Sequence, residues 1–140
     1  MLASIKERFQ KFYFTVAEEL AQLSYDPDRK VGAVIVKNNQ ILSEGYNGTF
    51  AGDDNNCKDS NGHTKPDVIH AECNAIMKCT KKGISTDSAS IFITCSPCWD
   101  CSKLILLAGI KEVYYIEEYS KGKEAIEYLK NHNVKIFKRK

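Results

Sequence analysis

Two short stretches hold side chains whose types and spacing could do chemistry: "HAE", His70 to Glu72, and "TCSPCWDC", Thr94 to Cys101. Cys98 and Cys101 stand at i and i+3 behind a proline, as at the opening of a helix, and that spacing puts both sulfurs on one helix face, close enough to share a metal ion. A helix N-terminus favours thiolate over thiol, and the thiolate is the form that a metal binds. One imidazole, from His70, would make three ligands. Three is informative, because a structural zinc site is closed by four protein ligands whereas a catalytic one keeps a position for water. The sequence has no separate CxxC pair and no H-x3-H to supply a fourth ligand. Cys95, three residues before Cys98, is the rival that could close the cluster. Glu72 argues for the open site, since a structural zinc has no use for a nearby carboxylate but a metal-activated water needs a base.

The elements that must position these residues follow from apolar spacing. Leu2, Ile5, Phe9, Phe12, Val16, Leu20 and Leu23 recur at three and four, which predicts a first helix with that face buried. "VGAVIVKNNQILSEGY", Val31 to Tyr46, reads as two strands joined by an Asn-Asn turn. A polar loop follows over 47–67. "VIHAECNAIMKC" is helical in composition, "ASIFIT" is a buried strand, "PCWDCSKLILLAGI" opens with proline and closes near glycine as helices do, and "EVYYIE" is another strand. "KEAIEYLKNHN" supplies a last helix and "VKIFK" a last short strand. Strands alternating with helices in this way predict an α/β layer structure whose later part is mostly parallel. On this map His70 and Glu72 begin one helix, and Cys98 and Cys101 begin another directly after a strand.

Composition narrows the function further. A chain of 140 residues, with no repeat or Pro/Gly-rich linker, is the size of one domain spanning 1–140. Such a domain buries about two-thirds of its unfolded surface, so a metal is not needed to hold a small core together. The net charge of +2 offers no broad footprint for nucleic acid or an anionic membrane, and only the last six residues are locally basic. Charge interrupts every apolar run of "MLASIKERFQKF", which is therefore neither a signal peptide nor a membrane span, and the expected compartment is the cytoplasm. In a reducing cytosol six cysteines are expected as ligands or small core residues rather than disulfides. Cys73 and Cys79 are expected in the core of the "HAECNAIMKC" helix.

H-x-E followed by P-C-x-x-C is the signature of the zinc nucleobase deaminases. Beyond it, "KVGAVIVKNNQILSEGYNGTFAG", "TKPDVIHAECNAI" and "SPCWDCSKLILLAGIKEVYY" resemble the deoxycytidylate (dCMP) deaminase family of the cytidine and deoxycytidylate deaminase superfamily, over about residues 24–118. Phe50 departs from the pattern, standing where many members carry proline. The resemblance implies a three-layer cytidine-deaminase-like fold with a five-stranded mixed sheet flanked by helices. It implies a hydrolase that converts dCMP to dUMP and ammonia and so supplies dUMP for thymidylate synthesis. Zn²⁺ would be held by His70, Cys98 and Cys101, with Glu72 as the proton shuttle. The N–H of Ala71 would face O2 of the base, the carbonyl of Ser96 would accept from the departing amine, and Asn47 in "GYNG" would meet the sugar hydroxyl. Arg29, His63 and Tyr119 are the nearest matches for phosphate contacts.

Each of these last has a plainer reading. Arg29 could be a solvated turn charge in "DPDRK", and Tyr119 an edge aromatic. His63 could join Cys57 in a second, structural zinc site. Trp99 could serve subunit packing or base stacking. A nucleic-acid deaminase of the tRNA adenosine type, or a nucleoside deaminase, would share the zinc motif, but the first would be expected to carry a basic patch. A non-enzymatic zinc module would leave Glu72 unexplained. The family also suggests a homo-oligomer, commonly a hexamer, and allosteric control by dCTP and dTTP with Mg²⁺.

Overall fold

The computed structural model describes residues 2–140. Its elements are α1 (Glu7–Ala21), β1 (Gly32–Lys37), β2 (Gln40–Tyr46), α2 (Ala71–Lys81), β3 (Ser90–Cys95), α3 (Trp99–Leu107), β4 (Glu112–Glu117), α4 (Lys123–Asn131) and β5 (Lys135–Lys138). The strands form one sheet in the order β2-β1-β3-β4-β5. β1 pairs antiparallel with β2 and β3, whereas β3, β4 and β5 run parallel, so the sheet is mixed and its later part parallel, as the alternation of strands and helices predicts.

Successive strand residues point to opposite faces, and here both faces are covered, which is why the strands read as unbroken apolar runs. Ala33, Ile35, Ile91, Ile93 and Val113 pack toward a cluster that includes Ala75 and Cys79 of α2, Ile105 of α3 and Leu129 of α4. The alternate residues Val34, Val36, Phe92 and Tyr114 pack toward Tyr13, Phe14 and Ala17 of α1. The result is three layers, with α1 alone on one side and the other helices opposite. Among the described residues no helix is long and apolar enough to cross a membrane.

The Asn-Asn turn holds: Asn38 and Asn39 take φ of 53° and 59°, the left-handed pair that a two-residue hairpin of this twist requires. The first helix differs from its predicted face. It starts at Glu7, and its buried line is Tyr13, Phe14, Ala17 and Ala21, while Leu2, Phe12 and Leu23 stay exposed and Phe9, Val16 and Leu20 flank the contact. The cause is close approach. A Cβ on Gly32 would run into the backbone oxygen of Ala17, so the helix meets β1 along its small residues. The aromatics beside them reach over to Phe92, with ring centroids 5.2 and 5.0 Å apart.

Candidate active site

The two chemical stretches meet where two helices begin. His70 is the N-cap residue of α2 and Cys98 that of α3, both in extended backbone, and neither spends its side chain on capping. α2 is drawn against β2 by a second glycine: a Cβ on Gly45 would sit 2.6 Å from the Ala71 carbonyl oxygen and 2.9 Å from the Ala75 nitrogen. Ser43 Oγ donates to the Ala75 carbonyl at 2.8 Å, and Asn74 Nδ2 donates to the Tyr46 carbonyl at 2.9 Å, which fixes the rotation of α2. α3 follows the C-terminal end of β3, where Ser96 N donates to the Glu117 carbonyl at 2.8 Å.

This placement gathers His70, Cys98 and Cys101, one nitrogen and two sulfurs, all within 4.8 Å of one another. His70 Nδ1 is 3.3 Å from Cys101 Sγ and 3.5 Å from Cys98 Sγ. Tetrahedral zinc, with bonds of about 2.0 to 2.3 Å to nitrogen and sulfur, places its ligand atoms about 3.3 to 3.8 Å apart, so the set fits such an ion. Its electrostatics favour a cation too. A hydrogen bond from Cys101, with His70 beside it, holds the Cys98 thiol down at about 4, well into the thiolate range. Cys101 is pushed up by acting as the donor to Cys98 and by burial, and His70 is raised by its hydrogen bond with Cys98. A metal ion would displace the protons these groups now share.

Cys95 stands apart from the cluster; its Sγ lies 3.1 Å from Arg29 Nη2 instead. Glu72, one residue into α2, is 5% exposed. Burial pushes its carboxyl up to about 7, the range in which one group can both take and return a proton near neutral pH.

A cavity of about 630 Å³ opens above this cluster, with His70, Ala71, Glu72 and Cys98 on its floor. Its wall includes Arg29, Asn47, Ser96 and Tyr119, all singled out from sequence. Asn47 is buried and braces the turn beside it: Oδ1 accepts from Val31 N at 2.9 Å, and Nδ2 donates to the Arg29 carbonyl at 2.8 Å. Its amide keeps a further N–H and lone pair for a ligand. Ser96 accepts through its hydroxyl from Tyr119 N at 2.7 Å. That bond and the one to Glu117 use the hydroxyl and amide of Ser96 rather than its carbonyl. The Arg29 guanidinium lies over the Tyr119 ring, 4.2 Å from the centroid, so the tyrosine acts as its platform.

His63 is exposed and does not line the cavity; its backbone pairs with Asp59, and Lys58 and Thr64 form that part of the wall. Cys57 is a buried free thiol, and neither it nor His63 belongs to the three-ligand cluster found among the described residues. Cys79 is buried as expected and Cys73 is half-buried. Trp99 is 43% exposed and packs on Tyr128 of α4, away from this cavity.

Sequence reasoning missed Asp26, Asp28, Lys58 and Thr64 as cavity residues. Asp26 left a signal. Its Oδ1 accepts from the backbone N–H of Asp28 and Arg29 at 2.9 and 3.0 Å, the turn that Asp-Pro-Asp favours. Lys58 left none, because its partners Asp26 and Asp28 lie some thirty residues away.

Comparison with known proteins agrees with this geometry. Residues 7–117 match the cytidine and deoxycytidylate deaminase zinc-binding region. ComE operon protein 2 of Bacillus subtilis is 38% identical over 132 residues, spanning 91% of this chain and 69% of that protein. The deoxycytidylate deaminase of Homo sapiens is 38% identical over 128 residues, spanning 82% of this chain and 68% of the human one. The dCMP deaminase of cyanophage S-TIM5, solved with dCMP and dUMP, superposes with a TM-score of 0.92 at 42% identity, covering 96% of this chain and 99% of that one. With the three-ligand cluster, the buried glutamate and the fold in agreement, the chain belongs to the cytidine and deoxycytidylate deaminase family.

Proposed function

We propose that this protein hydrolyses dCMP to dUMP and ammonia with zinc held by His70, Cys98 and Cys101. The observation that carries the reading is the buried Glu72 carboxyl on the cavity floor beside a three-ligand cluster, with Arg29 on the wall of the same cavity. Zinc bound there would supply the Lewis acidity that brings a water's pKa toward neutrality. The remaining work belongs to the chain. Glu72, near 7, takes a proton from the attacking water and delivers it to N3 of the cytosine, then takes the proton of the hydroxyl now bonded to C4 and passes it to the amine, so that the C4–N bond breaks, the C4 oxygen becomes a carbonyl and ammonia leaves. The Ala71 N–H, at the start of α2, holds O2, and the Ser96 carbonyl holds the exocyclic nitrogen. Asn47 meets the sugar hydroxyl, and Arg29, seated on Tyr119, meets the phosphate. His63 is exposed and lies outside the lining of this cavity, so the reading assigns it no contact.

Self-association belongs to the same reading, supported by the exposed apolar side chains Leu107 and Trp99 on α3. Control by dCTP and dTTP with Mg²⁺ and a cytoplasmic setting rest on the family resemblance alone. The deciding experiment measures ammonia release from dCMP, deoxycytidine, cytidine and dCTP side by side. The expected result is a strong preference for dCMP. Equal rates with deoxycytidine would favour a nucleoside deaminase, and activity confined to a tRNA stem-loop would favour the nucleic-acid reading.

A further inference from the structure

We infer that Lys58 is a second cation of the phosphate subsite, and that Asp28 occupies the phosphate's place on it when the site is empty. The inference rests on the dCMP reading and adds a residue to it. Lys58 reaches from the long loop between β2 and α2 to the cavity wall, and its side chain is only 17% exposed. Its ammonium has three partners: Thr64 Oγ1 at 3.0 Å, Asp28 Oδ2 at 3.3 Å and Asp26 Oδ1 at 3.5 Å. These partners are unequal. Asp26 is 4% exposed and already bound to two backbone N–H groups of the Arg29 turn, so it cannot move away. Asp28, in contrast, is 69% exposed and free to swing into water.

Asp26 holds Lys58 in place, while Asp28, its exposed partner, lines the same cavity. Asp26 also fixes the backbone of Arg29, so one buried carboxylate sets the positions of both cations. An arriving phosphate dianion repels Asp28 and offers Lys58 a stronger acceptor, so the exchange keeps all three ammonium protons bonded. A bland alternative is a latch: the ion pairs would simply fasten the loop to the turn. The two roles predict different effects for loss of the Asp28 charge.

The test is the ratio of kcat/KM for dCMP to that for deoxycytidine in purified, metal-loaded protein. Lys58→Met is expected to lower the ratio about tenfold, the scale of one lost charge-assisted hydrogen bond. Lys58→Arg should keep most of it. Asp28→Asn should raise it roughly two- to fivefold, since the competing charge is gone. If Lys58 is only a latch, Lys58→Met lowers both substrates in parallel and Asp28→Asn lowers the ratio or leaves it unchanged; either result overturns the inference. Should Lys58→Met fail to fold, the Arg and Asp28→Asn variants still decide it. A wild-type protein without a dCMP preference would overturn the substrate reading itself, whereas a preference untouched by Lys58→Met would sink only the role of Lys58.

Discussion

Glu72→Gln separates the chemistry from the architecture. The amide keeps the size and hydrogen-bonding reach of the carboxyl but can neither take a proton from water nor return one. The side chain is 5% exposed and its carboxyl is raised by burial to about 7, so its ionised form is costly to bury. The neutral amide removes that cost, and the melting temperature is expected to hold or rise slightly. Turnover is expected to behave oppositely. A lost general acid-base costs about 10²- to 10⁴-fold, or roughly 3 to 5.5 kcal/mol of barrier, and Glu72 serves several transfers, so the loss should be at the upper end or beyond. Binding should persist, because the metal ligands and the Arg29 contact are untouched, so the fall should appear in kcat far more than in KM. Steady-state ammonia release, zinc content by atomic absorption and dUMP binding by calorimetry, run on one preparation, measure all three. Near-normal turnover with zinc in place would refute the assignment of the shuttle.

Three further outcomes are expected. Arg29→Ala should reduce the dCMP-to-deoxycytidine preference by at least about tenfold, as loss of a charge-assisted contact does; an unchanged ratio would return Arg29 to a turn charge. Removing the metal with a chelator should abolish activity while leaving the far-ultraviolet circular dichroism in place, because the three-layer core does not depend on the ion; unfolding at room temperature would make the metal structural. Glu112→Gln should lower stability at pH 7 by about 1 to 2 kcal/mol. Burial pushes the Glu112 carboxyl up, but hydrogen bonds from Ser4 and Ser90 outweigh it and hold the group below its ordinary 4.5. The stabilisation is therefore present above pH 4.5 and fades as the pH falls through the depressed value, so wild type and variant should converge in acid. A difference that stays constant from pH 7 to pH 3 would exclude that origin.

Much of this protein is determined by local sequence. The short apolar runs "VGAVIV" and "ASIFIT", the Asn38-Asn39 turn, and the proline and glycine around α3 each act within a few residues, so strands, hairpin and helices could be placed without a fold. The metal cluster was equally legible. Two of its ligands lie one helical turn apart, the third has the glutamate two positions on, and zinc chemistry accepts few other residue types. The buried face of α1 was not legible, because Gly32 against Ala17 decides which side of the helix can come close, and that contact joins residues fifteen apart. The cavity wall was even less so. Lys58, Thr64, Asp26 and Asp28 acquire meaning only when a loop folds back over a turn, and nothing local distinguishes a lysine in such a loop from one in solvent. His63, which had the right chemistry and the right neighbourhood in sequence, does not line the cavity, while Thr64 beside it does. Helices and strands follow from periodicity, a property of neighbours along the chain; which side chain of an irregular loop enters a cavity is set by contacts across it, and only the tertiary structure decides those.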